Sequence, residues 1–119
     1  MKKILICGAS GFIGRNLLDN FTRDRHFSEE EFEVKAVWHK NASITELYRD
    51  VEWVHADLTN SKDVKRVITS DVDVILQYAA VTSGAKDIIS KPYVHVTDNA
   101  VMNSLLMREA FENKVEHFI

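Results

Sequence analysis

Lys3-Ile4-Leu5-Ile6-Cys7-Gly8-Ala9-Ser10-Gly11-Phe12-Ile13-Gly14, read on through Leu17 to Phe21, sets a buried strand against a glycine turn and a helix. The run Lys3 to Cys7 is short, apolar and closed by a glycine, which suits a strand covered on both faces of a parallel sheet. Ile13, Leu17 and Phe21 then recur at i, i+4 and i+8, so a helix opens inside the turn and continues to about Phe21. In that setting each glycine has a mechanical task. Gly8 permits the tight turn, Gly11 lets backbone approach a phosphate with no Cβ in the way, and Gly14 allows close helix–strand packing. Free N–H groups at the helix start, reinforced by the helix dipole, favour a diphosphate anion. A P-loop needs Gly-Lys-Ser/Thr, and Gly14 is followed here by Arg15-Asn16, which excludes it.

Outward from the turn, residues 22–33 are dominated by charge, including Ser28-Glu29-Glu30-Glu31, and read as a solvated loop or frayed helix end. Val34 to Trp38 alternates and is β-rich, giving a second strand, and Val51 to His55 gives a weaker third. Asn60 or Ser61 caps a helix carrying Val64, Val67 and Ile68 and ending near Ser70. Val72 to Tyr78 is another apolar strand, and Thr82 to Pro92 reads as loop or short helix because Pro92 disfavours helical geometry at Lys91. From a cap at Thr97 or Asp98 to about Asn113, Val101, Met102, Leu105, Leu106, Ala110 and Phe111 recur at helical spacing. His117-Phe118-Ile119 opens a fifth strand. Strands alternating with helices predict an α/β fold: a doubly wound parallel sheet with helices on both faces, formed by residues 1–119 as one domain.

Composition narrows the function. The chain has 119 residues, 45% hydrophobic and 28% charged, as an ordinary folded protein does. A net charge of −3 supplies no positive field for nucleic acid or an anionic membrane, so neither is expected as a partner. Cys7 is the single cysteine, which rules out an internal disulfide framework and a multi-cysteine metal site. The apolar run before Gly8 is too short for a signal-peptide core or membrane span, and a cytoplasmic location is expected. His26, His39, His55, His95 and His117 show no His-Glu-x-x-His spacing, and no Gly-x-Ser-x-Gly elbow occurs. No metal site is expected.

The spacing Gly-x-x-Gly-x-x-Gly of Gly8 to Gly14 resembles the signature of extended short-chain dehydrogenase/reductases, the NAD-dependent epimerase/dehydratase family, whose fold is Rossmann-type. Ala56-Asp57-Leu58 resembles that family's acidic-aliphatic pair after the third strand, where the Asp meets the adenine. Asp73-Val74-Ile75-Leu76-Gln77-Tyr78-Ala79-Ala80 is similar to its fourth strand, which ends in small residues beside the cofactor. Asn99 matches an Asn placed near the nicotinamide end. The resemblance therefore implies a cofactor site built from Gly8, Ala9, Ser10, Gly11, Phe12, Ile13, Gly14, Asp57, Leu58, Tyr78, Ala79, Ala80, Val81 and Asn99. It also implies a nucleotide-sugar substrate and a homodimer, with Met102, Leu106 and Met107 on the long helix as candidates for self-contact. Residue by residue, Asp57 is also readable as a turn or cap residue, Ala79 and Ala80 as close-packing alanines, and Asn99 as a solvated helix residue.

A ribose 2′-OH is usually held by a carboxylate ending the second strand, whereas a 2′-phosphate needs positive charge there. That strand ends Val37-Trp38-His39-Lys40-Asn41, without a carboxylate. Lys40, with His39 or Arg15 in reach, favours NADP, with NAD as the alternative. The family's Tyr-x-x-x-Lys pair is missing: Tyr48, Tyr78 and Tyr93 are followed four residues later by Glu52, Thr82 and Thr97. No catalytic residue is therefore assigned. The expectation is the cofactor-binding part of a sugar-nucleotide epimerase, dehydratase or reductase, cut near the fifth strand and inactive alone. The alternatives are a dinucleotide-sensing binding protein of the same fold and a cofactor-free interaction domain.

Overall fold

β1 (Lys2–Cys7) is apolar on both sides because both sides are covered. Leu5 and Cys7 enter one hydrophobic core, and Ile4 and Ile6 enter another on the opposite face. The computed structural model describes residues 2–23, 32–80, 89–91 and 93–119. After β1 come α1 (Phe12–Thr22), β2 (Phe32–Trp38), α2 (Ile44–Leu47), β3 (Glu52–His55), α3 (Ser61–Val67), β4 (Val74–Gln77), α4 (Tyr93–Glu112) and β5 (His117–Phe118). All pairings are parallel and the strand order is β3-β2-β1-β4-β5. Leu18 of α1 and Ile44 of α2 fill the core under one face, and Val64 and Val67 of α3 with Met102, Leu106 and Ala110 of α4 fill the other. This is the doubly wound α/β arrangement expected from the alternation of strands and helices. Its order reverses between β1 and β4, and ligands of such sheets bind outside the carboxyl ends of the strands at that reversal.

Polar groups pin the layers. Asn60, rather than Ser61, caps α3, its side chain accepting from the Lys62 and Asp63 N–H groups at 3.0 and 3.1 Å. Lys35 is buried on β2, yet its ammonium donates to the Val67 carbonyl at 2.8 Å, where the C-terminal end of α3 attracts positive charge. Tyr48, buried below β3, donates its hydroxyl to the Asp19 carboxylate of α1 at 2.6 Å. Burial pushes the Cys7 thiol up to about 12, so it stays protonated and acts as a small core residue.

Several boundaries differ from the sequence reading. β2 begins at Phe32, where Phe21 of α1 packs edge-on against its ring at 5.6 Å, giving an apolar anchor to the end of a charged stretch. The ambiguous region between the second and third strands holds the short helix α2. α3 stops at Val67 rather than near Ser70, and β4 spans Val74–Gln77 rather than Val72–Tyr78. α4 begins at Tyr93, not at a cap on Thr97 or Asp98, both of which lie inside it. It docks through Met102, Leu106 and Ala110, spaced by four, so Val101, Met107 and Phe111 stay exposed despite their hydropathy. The charged stretch from Asp24 to Glu31, and residues 81–88 of the Thr82 to Pro92 segment, lie outside the described residues.

Of the three described glycines, Gly14 leaves the least room for a side chain. A Cβ built there would lie 2.1 Å from the Gly8 carbonyl oxygen and 2.7 Å from the Ala9 Cα. Both are backbone atoms of the turn, which cannot swing away as a side chain could. Gly14→Ala is expected to destabilise the chain by about 1–3 kcal/mol, the range for inserting an extra methyl into close packing. Gly11→Ala, whose Cβ meets nothing nearer than 3.4 Å, is expected to leave stability within about 0.5 kcal/mol. Urea unfolding of both variants checks the contrast, and equal stabilities would refute it.

Candidate functional site

The turn between β1 and α1 is shaped by what its glycines lack. Gly8 has φ +78°, a left-handed conformation that side chains disfavour. A Cβ there would also collide with the Tyr78–Ala79 peptide, at 2.4 Å from the Ala79 nitrogen. The Gly11 N–H donates to the Gly8 carbonyl at 3.1 Å and closes the turn. Gly11 is then the N-cap of α1, and α1 starts with no side-chain cap and no acidic residue in its first turn. Its leading N–H groups are directed toward any acceptor outside the turn.

That acceptor has space. A cavity of about 530 Å³ lies at the carboxyl ends of the strands, within the size range of small-molecule sites. Gly8, Ser10 and Gly11 form one wall. Val37, His39, Lys40 and Asn41 enter from β2 and its exit, and Ala56, Asp57, Leu58 and Thr59 from the exit of β3. Tyr78, Ala79 and Ala80 line it from β4, and Asp98 and Met102 from α4. One cavity thus spans the reversal of strand order.

Apart from Asp98 on α4, its charged side chains stand at the β2 and β3 exits. Asp57 accepts from the Thr59 hydroxyl at 2.7 Å and the Thr59 N–H at 2.9 Å. Those two bonds, then the nearby His39 and Lys40 side chains, hold its carboxyl below the usual carboxylate range. Trp38 and His55, paired in register, stack at 4.1 Å, and the His55 Nε2 lies 3.0 Å from the His39 carbonyl. Arg66 donates to the His55 carbonyl at 2.7 Å. The loop carrying His39 and Lys40 is therefore tied to β3 by a ring stack and a hydrogen bond.

Of the residues singled out in the sequence, Gly8, Ser10, Gly11, His39, Lys40, Asp57, Leu58, Tyr78, Ala79 and Ala80 share this cavity. Ala9 does not: it is wholly buried in the core with Ile6 and Leu18, because the turn folds its methyl inward. Gly14 is buried behind Gly8, while Phe12 and Ile13 expose their side chains on the first turn of α1, so any part they take is through backbone N–H. Asn99 and Arg15 are absent from the cavity wall, and Asp98 and Met102 hold the α4 side. Val81 lies outside the described residues. Met102 and Leu106 are core residues, so of the three candidates for self-contact only Met107 is exposed. The reading missed Val37, Asn41, Ala56, Thr59, Asp98 and Met102; only Thr59, two residues after an aspartate, carries a local signal, that of an Asx turn. Among the described residues no cluster of metal-ligating side chains occurs, and no helix is long and apolar enough to cross a membrane.

Comparison with solved structures gives the same architecture. The UDP-Glc/GlcNAc 4-epimerase of Campylobacter jejuni superposes with a TM-score of 0.79 at 22% identity, over 99% of this chain and 36% of that one. The dTDP-glucose 4,6-dehydratase of Streptomyces venezuelae, solved with NAD and TYD bound, gives 0.72 at 22% identity over 98% and 38%. The UDP-glucose 4-epimerase of Bifidobacterium longum, in complex with NAD+ and UDP, gives 0.76 at 14% identity over 98% and 36%. The chain therefore spans little more than a third of the length of these structures. No curated protein matches the sequence. The model of the NAD dependent epimerase/dehydratase family matches residues 4–119, and the chain belongs to that family.

Proposed function

We propose that residues 1–119 form a single dinucleotide-binding unit, with the diphosphate of NAD or NADP held at the start of α1. The observation that carries this is Gly11. Gly8 and Gly14 lack a Cβ because backbone occupies the position, whereas at Gly11 the chain leaves that space open beside the cavity. A phosphate approaching the α1 N–H groups uses that space. Asp57 and Leu58 are then placed for the adenine, and Tyr78, Ala79 and Ala80 for the far side of the cofactor. A dinucleotide held there would supply hydride transfer. Replacing Gly11 with Val is expected to abolish dinucleotide binding in calorimetry while far-UV CD stays near that of the wild type. Unchanged affinity would sink the assignment.

Cofactor choice turns on the β2 exit. Lys40 and His39 face the cavity, and no carboxylate ends β2. Asp57, kept ionised by Thr59, and Asp98 on α4 oppose a 2′-phosphate, so Lys40 and His39 at the β2 exit have to outweigh them. We infer a preference for NADP, since one charge-assisted contact contributes about 1.5–3 kcal/mol, roughly 10- to 150-fold in affinity. Lys40→Ala should erase that preference and leave NAD affinity nearly untouched; tighter NAD binding by the wild type would refute it.

The whole protein's activity is proposed from the family: epimerisation, dehydration or reduction of a nucleotide sugar, in the cytoplasm, by a homodimer whose contact includes Met107 of α4. The competing role is a dinucleotide sensor without turnover; a Tyr-x-x-x-Lys pair elsewhere in the whole protein would favour the enzyme, and a whole protein without one the sensor. Without an acid–base group near the substrate, proton transfer is not catalysed. These 119 residues alone are therefore expected to bind cofactor but convert no nucleotide sugar. Measurable conversion of UDP-glucose by the purified chain would overturn this.

A further inference from the structure

Gln77 is the last residue of β4, and its carboxamide makes three contacts that the site description does not use. Its Oε1 accepts from the Ala79 N–H at 3.1 Å, and its Nε2 donates to the Ala79 carbonyl at 3.1 Å and to Asn103 Oδ1 of α4 at 3.0 Å. The orientation of the amide is fixed by chemistry: a backbone N–H can only donate, so Oε1 must face it and Nε2 must face the two oxygens. The peptide whose N–H is clamped is also the one against which Gly8 is packed, with the Ala79 nitrogen 2.4 Å from where a Gly8 Cβ would stand. Gly8 in turn backs Gly14 at the start of α1. On the other side, Asn103 lies five residues beyond Asp98 and next to Met102, the α4 residues of the cavity wall.

We propose that Gln77 is a positioning residue for the cofactor cavity, gripping Ala79 by its N–H, in the Tyr78–Ala79 peptide under the glycine turn, and by its carbonyl, in the peptide after it, and tying both to α4. The carboxamide supplies both an acceptor for the Ala79 N–H and a donor for the Ala79 carbonyl and Asn103, which an apolar side chain or a carboxylate does not. Without it the Tyr78–Ala80 exit keeps the ladder bond from the Tyr78 N–H to the Cys7 carbonyl but loses the hold beyond it. Fixing one freed backbone residue again on binding weakens affinity roughly 5- to 30-fold. The inference rests on the cavity being a dinucleotide site.

The test uses the full 119-residue chain and NAD as probe, with Gln77→Leu, Gln77→Glu, Asn103→Leu and Asn103→Asp. Hydrogen exchange of the Ala79 amide, measured without cofactor, reports the clamp itself and should speed up in Gln77→Leu. NAD affinity should fall roughly 5- to 30-fold in Gln77→Leu. Gln77→Glu should fall as far at pH 7.5, because a carboxylate cannot donate to the Ala79 carbonyl or Asn103. It should regain part of its affinity, relative to wild type at the same pH, only as the pH falls to the ordinary glutamate pKa of about 4.3, where a protonated carboxyl donates again to one of the two oxygens. Asn103→Asp keeps the acceptor and should bind as the wild type does, whereas Asn103→Leu should weaken. The pH-dependent recovery is what loss of fold would not produce. Wild-type binding with unaltered Gln77 variants, or no recovery in Gln77→Glu, would overturn this inference alone; a wild type that binds no dinucleotide would overturn the reading of the cavity and this role with it.

Discussion

Three backbone segments meet here with no side chain between them: the exit of β4, the turn after β1 and the start of α1. A Cβ at Gly8 would stand 2.4 Å from the Tyr78–Ala79 peptide, and one at Gly14 would stand 2.1 Å from the Gly8 oxygen. That stacking fixes where α1 begins relative to the sheet, and hence where its leading N–H groups point. Helices that start in this way gain no local cap, and α1 has none from a side chain. What compensates is burial on both faces of β1, with Leu5, Ile6 and Cys7 wholly inaccessible. The sheet thus holds an uncapped helix end in a fixed place, which is the condition for using it to bind an anion.

The rest of the site follows from where the strand order reverses. β2 and β3 lie to one side of β1 and β4 to the other, so their exits surround the turn without a further domain. The charges differ in character between exits. Asp57 is held by Thr59, while Lys40 stands on a loop anchored by the Trp38–His55 stack and the His55–His39 hydrogen bond. On the proposed reading, a shift of that anchor would move the lysine and so alter the choice between the two cofactors.

Much of this was legible in the sequence, for reasons that are local. β1, the turn and α1 show themselves because two-sided burial demands an unbroken apolar run, and a helix facing a sheet demands its 3.6 period. The ten cavity residues named from the sequence came from motifs at strand ends, where topology places sites. What stayed hidden depends on pairing across distant segments. Nothing near Thr97 shows that α4 starts at Tyr93, since Thr97 and Asp98 resemble cap residues wherever they fall. Val101 and Phe111 fit the helical pattern as well as Leu106 does, and only the docking of α4 on its Met102, Leu106 and Ala110 stripe decides which of them is buried. The role of Gln77 has no local signal, because its contact with Asn103 is set by tertiary structure.

The central claim is that the open space at Gly11 and the N–H groups behind it receive a diphosphate. Titrating the isotopically labelled chain with NAD while following backbone amide shifts tests this most directly. The account requires the largest changes at Gly11, Phe12 and Ile13, with smaller ones at Asp57 and Ala79. Saturable binding that leaves the Gly11–Ile13 amides unmoved would contradict it.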